Sequence, residues 1–347
     1  MLAWACMRGV RRRAGRWIAL AVGAASCDGG GGTTGAAMAE WQVSLEVGEG
    51  EGAFFSVWGA SATELYAVGG QRFGGGLSAG TMWRFDGSSW REAALPADTS
   101  ALNWVYGVGE ARVAVGAGGT ILQREGDDDA APWTRGSCET VLPLWGVWGP
   151  APDRLWAVGG DGLSHDPIVC AWDGATWTQQ DLPALSVPSK ALYKVWGTAA
   201  DDVWAVGDAG LILHYDGGAW SEVASGTTAD VIALWGRAAD AILAVGGRSE
   251  GVILRYDGAA WTPLPQEGLA GLNGVWMDGA GAARVVGGHG VAGRVDAGAT
   301  AVALGETGTS MGLHAVFTTP EGRTFAVGGS IDGSPPFVGI ILEASGG

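Results

Sequence analysis

The stretch Val195-Trp196-Gly197, then five residues, Val203-Trp204-Ala205-Val206-Gly207, then three residues, Leu211-Ile212-Leu213-His214-Tyr215, Asp216-Gly217 and Trp220 decides the fold. Residues 203–206 form a short apolar run closed by a glycine, the pattern of a strand buried on both faces. Residues 211–215 form a second run and end at Asp-Gly. That pair is a hairpin signal, because glycine takes positive φ without steric cost. The unit therefore reads as four short strands, the fourth opened by Trp220.

Working outward, the same phrase occurs seven times. The first-strand anchors are Val57-Trp58, Val105-Tyr106, Val147-Trp148, Val195-Trp196, Leu234-Trp235, Val275-Trp276 and Val316-Phe317. Each is followed by a Val-Gly strand end, at Gly69, Gly116, Gly159, Gly207, Gly246, Gly287 and Gly328. Units of this length, each of four strands, are the signature of a β-propeller. The expectation is an all-β, seven-bladed β-propeller over residues 41–347. The seventh unit stops after its third strand, at 338–342. Trp41-Gln42-Val43-Ser44-Leu45 has no unit of its own and reads as the missing fourth strand. Pairing the two ends in one blade would remove an open sheet edge.

The first 26 residues have a different composition. Arg8, Arg11, Arg12, Arg13 and Arg16 precede a short apolar run, 17–25, and then Ala24-Ala25-Ser26-Cys27. This reads as a signal peptide of the lipoprotein type, with Cys27 as the lipidated residue. A plain signal peptide cut nearby is the alternative. Residues 27–40, rich in glycine, read as a tether. The expected address is the cell envelope, the outer membrane or cell surface, with a periplasmic or secreted form as the alternative. The lipid is the expected membrane contact, and a monomer the expected state. Loss of residues 1–26 leaves 15 basic against 36 acidic residues, a net charge of −21. That balance disfavours nucleic acid, which needs a basic face. Cys138 and Cys170 remain as a pair in an oxidising compartment, either bonded between adjacent blades or reduced and buried.

At Leu65-Tyr66-Ala67-Val68-Gly69-Gly70 and Arg84-Phe85-Asp86-Gly87-Ser88-Ser89-Trp90 the chain resembles a kelch motif, with its glycine pair, aromatic and tryptophan. It is similar also to repeat-bearing bacterial surface lipoproteins, and more distantly to Asp-box propellers of the sialidase type. The aromatic-to-tryptophan spacing is shorter than in kelch repeats, and Thr300 stands where the sixth unit's tryptophan is expected. The resemblance implies a fold and not a function.

Residues that recur once per unit read as packing between blades. Departures from the repeat are therefore the better functional candidates. The loops between second and third strands are long at 70–80, 160–167 and 329–337, and all leave by one face. Arg72, Phe73, Asp161, His165, Asp166 and Asp332, overlooked by Lys190, are the candidate ligand-binding residues there. The Asp127-Asp128-Asp129 turn lies on the other face and matches no calcium loop. The four histidines have no metal-ligand spacing, and no catalytic residue, metal or cofactor is expected. The leading reading is an envelope binding module for a glycan or a protein. A glycosidase or lyase using Asp161, Asp166 or Asp332 is the second reading, and a purely structural envelope protein the third.

Overall fold

The computed structural model describes residues 40–48, 51–71, 79–126, 128, 130–161, 167–186, 188–189, 191–330 and 338–345, all within the unit Met38–Gly347. The described residues form seven antiparallel sheets of four strands each. In the fourth blade the order from the axis outward is Leu192–Ala199, Asp202–Gly207, Ile212–Tyr215 and Trp220–Glu222, as the repeat predicts. The seven inner strands contact one another in sequence, and Gly312–Thr318 of the last blade meets Ala53–Ser61 of the first, which closes the ring. Among the described residues no helix is long and apolar enough to cross a membrane.

The N-terminal strand Glu40–Val47 completes the seventh blade. It pairs antiparallel with Gly339–Ser345, from Glu40 opposite Ser345 to Val47 opposite Gly339. Its Ser44 hydroxyl accepts a hydrogen bond from Trp90 Nε1 of the first blade at 3.0 Å, so this strand also holds the neighbouring blade.

The recurrent glycines have a common spatial reason. A Cβ on any of the seven that end the second strands would be driven into a backbone carbonyl at the start of the same blade's inner strand; for Gly207 this is Ala191 O. The backbone there is extended, so space and not φ selects glycine. In Val-Trp-Gly the glycine makes room for the preceding blade: a Cβ at Gly107, Gly197 or Gly236 would strike the ring of Trp58, Trp148 or Trp196. The inner-strand aromatics form a chain between blades, with Trp148–Trp196 and Trp196–Trp235 centroids each 6.3 Å apart. The hydrophobic core accordingly lies between blades.

Two details extend the sequence reading. Cys138, beyond the outer strand of blade two, and Cys170, in the third strand of blade three, form a disulfide. In the sixth blade the tryptophan position falls on Val302, just ahead of Ala303, which faces Arg294; Thr300 lies two residues too early. The signal segment, Cys27 and most of the tether lie outside the described residues.

Candidate functional site at the axial mouth

Near its start, every inner strand carries one residue that its ladder skips. The pairing passes from Phe54 to Ser56, Leu102 to Trp104, Leu144 to Gly146, Leu192 to Lys194, Val231 to Ala233, Leu272 to Gly274 and Leu313 to Ala315. A bulge of this kind leaves one residue outside the ladder and re-aims its side chain. The skipped residues are Phe55, Asn103, Trp145, Tyr193, Ile232, Asn273 and His314. All seven line one cavity of about 890 Å³ on the ring axis. Arg248, His289 and Ser330 from second-to-third-strand connections, and Ser310 and Met311 from the link into blade seven, complete its rim. The cavity thus opens on the face from which the long loops leave.

The wall is held in place from beneath. Asn103 Nδ2 donates to Leu144 O at 2.8 Å and Asn273 Nδ2 to Leu313 O at 2.9 Å, each reaching the next blade. Trp145 Nε1 donates to Gly160 O at 2.7 Å, and its ring meets Tyr193 edge to face at 6.1 Å. Phe55 and His314 face each other across the first and last blades at 5.4 Å. Lys194 Nζ donates to Trp145 O at 3.1 Å and stands 3.9 Å from the centroid of Trp104.

The described residues of the mouth's wall include Lys194 and Arg248 and no carboxylate. Arg248 Nε donates to Asp230 at 2.6 Å, behind the rim, and Arg248 Nη2 donates to the Tyr193 hydroxyl at 3.0 Å. Burial works against the Arg248 charge, but Asp230 and Tyr193 outweigh it and hold the guanidinium above its ordinary value. Burial likewise pushes the Tyr193 phenol up, so it stays protonated near neutrality. His289 sits in the left-handed region at φ 55°, in a tight turn at the rim.

Of the residues singled out from sequence, Asp161 is described. It is half-buried and follows Gly160, the acceptor for Trp145. Arg72, Phe73, His165, Asp166, Asp332 and Lys190 lie outside the described residues, as do Asp127 and Asp129. Asp128 accepts a hydrogen bond from Ala130 N at 2.9 Å within its own turn. His214 is bound to Asp202 at 2.8 Å and stacked on Trp204, away from the mouth. No group of three or more metal-ligating side chains occurs among the described residues. Sequence reasoning missed the seven mouth residues. Their signal is positional: each stands two places before the aliphatic anchor, and its type changes from unit to unit within an otherwise strict phrase.

No family of known proteins and no curated protein matches the chain. Solved structures do. The WD40 β-propeller domain of Doa1 matches with a TM-score of 0.65 at 11% identity, over 87% of this chain and 96% of that one. YCF48, in a structure bound to a D1 peptide, matches with a TM-score of 0.62 at 12% identity, over 88% and 97%. At such identities the likeness shows the propeller fold alone.

Proposed function

We propose that this protein is a binding module that takes an acidic peptide segment of a partner protein into its axial mouth. One observation carries this reading. The repeat leaves one position near the start of each inner strand free of the ladder, and these seven converge on a cavity walled by aromatics, amides and two cations with no described carboxylate. Trp145, Tyr193 and Phe55 offer apolar faces to side chains. Lys194 and Arg248 offer charge-assisted hydrogen bonds to carboxylates. The peptide in the YCF48 structure supports the choice of ligand class. The glycosidase reading lacks support from the described wall, because two-carboxylate chemistry needs a carboxylate pair. We place the module at the cell envelope, anchored through Cys27, on the pattern of residues 1–27 and the kelch-like and lipoprotein resemblance.

Panning a random peptide display library against the full chain tests the ligand. Enriched peptides are expected to be acidic, and to lose about tenfold or more in affinity for Arg248→Ala or Trp145→Ala, the loss of one charged hydrogen bond or one aromatic contact. Failure to enrich any peptide, with sugar binding on a glycan array that depends on Trp145, would replace the peptide by a glycan. For the anchor, Cys27→Ala is expected to move the protein from the membrane to the soluble fraction; unchanged membrane association would rule out the lipid.

A further inference from the structure

The face opposite the mouth holds a second departure from the repeat. Three residues before the glycine that ends each second strand stand Tyr66, Val113, Trp156, Trp204, Leu243, Arg284 and Phe325. Six are apolar or aromatic and buried between blades. Blade six has a half-buried arginine in their place. In its sheet Arg284 pairs with Trp276 of the inner strand and with Arg294 of the third. A cavity of about 570 Å³ opens there, walled by Arg284, Arg294, Trp276, Phe317 and the turns at Asp278 and Thr319.

The wedge sets two arginines against Asp278 and Asp296, but the partners are unevenly shared. Arg294 Nε donates to Asp296, an exposed partner, at 2.6 Å. Asp278 Oδ1 accepts from Ala282 N at 2.9 Å. No acceptor meets the Arg284 guanidinium among the described residues. Burial, and after it the Arg294 charge, hold Arg284 below its ordinary value, with Asp278 opposing. A guanidinium with Asp278 nearby but no hydrogen-bonded acceptor, in a partly desolvated wedge, is stabilised by an anion that enters and accepts its hydrogen bonds. Two guanidiniums on adjacent strands offer forks that match a carboxylate. Trp276 and Phe317 lie edge to face with centroids 6.1 Å apart and provide an apolar wall for the carbon body of a ligand. Asp278 at the rim opposes a dianion.

We propose that the wedge between blades six and seven binds a small organic carboxylate that carries an aromatic or apolar group. This site is independent of the axial mouth. Calorimetric titration of the full chain with benzoate, benzamide and inorganic phosphate tests it. Benzoate is expected to bind saturably, and benzamide and phosphate at least about tenfold more weakly, since the charged fork and the apolar wall act together. Arg284→Leu restores the residue type of Leu243 in blade five. It is expected to keep or raise the melting temperature while weakening benzoate about tenfold or more. Should that variant fail to fold, Arg284→Lys keeps the charge, loses the fork and is expected to weaken benzoate measurably. Equal binding of benzoate and benzamide, benzoate affinity unchanged in Arg284→Leu or Arg284→Lys, or tighter binding of phosphate than benzoate would overturn the proposal.

Discussion

At the scale of single residues, the glycines and aspartates of the repeat do different work. Gly207→Ala places a methyl group against the Ala191 carbonyl and is expected to cost roughly 1–3 kcal/mol in urea unfolding, the range for overpacking. Gly48→Ala, with nothing within 4 Å of its Cβ, is the control and should leave the midpoint in place. The Asp-Gly turns repeat one device. Asp86 is held well below the usual carboxylate range by the Ser88 hydroxyl and the amides of Ser88 and Ser89. Asp173, Asp216 and Asp257 are lowered by amides three and two residues on. Each contributes stability that is full above its unfolded pKa, near 4, and is lost as pH falls through the lower folded value. Changing all four to Asn keeps a side-chain acceptor and removes the titration. The melting temperature of that variant should decline less between pH 5 and 2; an identical acid limb would refute this role. The Asp-Gly turns were legible because each is fixed by local chemistry, and the other glycines because they recur once per unit. The shift from Thr300 to Val302 was not, because the ladder partner of Arg294 is a non-local fact.

Among elements, the N-terminal strand was legible because the last unit lacks its tryptophan-bearing strand, and an unpaired edge is unfavourable. Deleting residues 40–47 bares the Gly339–Ser345 edge and removes the Ser44 contact to Trp90. Such a variant should melt lower and associate in light scattering; a monomer with the parent melting temperature would show that the strand is dispensable. The disulfide joins elements that sequence spacing left undecided. Cys138 and Cys170 are 32 residues apart, and the bond ties the exit of blade two to the middle of blade three. Replacing both by alanine is expected to lower stability by roughly 2–4 kcal/mol, the usual contribution of a loop closure of this length. The inner-strand bulges were beyond reach of a strand-by-strand reading. Apolar periodicity marks which residues are in a strand, whereas a bulge is defined only by the partner strand that it misses.

For the whole molecule, the connections between second and third strands alternate. Blades two, four and six use three-residue turns, Ala117–Gly119, Asp208–Gly210 and Gly288–Gly290. In blades one, three and five, Ala79, Gly160 and Glu250 instead bridge to Ser100, Ala191 and Ala270 in the link to the next blade. The ring was legible from seven recurring units. The make-up of the cavity wall was not, since an acidic sequence gives no sign that Lys194 and Arg248 line it without a described carboxylate. That contrast has a measurable effect. An acidic peptide bound at the mouth should dissociate faster at higher salt as its pairs with Lys194 and Arg248 are screened. A rate independent of ionic strength would exclude charge pairing at the mouth.

The seven bulges also bear on how such a protein changes over generations. These side chains stand outside the ladder, and the contacts that some of them make to the next blade, such as Asn103 to Leu144 O and Phe55 to His314, differ from unit to unit. Phe, Asn, Trp, Tyr, Ile, Asn and His already occupy the same place in seven blades of one backbone. On the proposed reading, one backbone thus presents seven chemically different side chains at its mouth, and a change at any of them alters what the mouth can recognise while the ladders beneath keep their register.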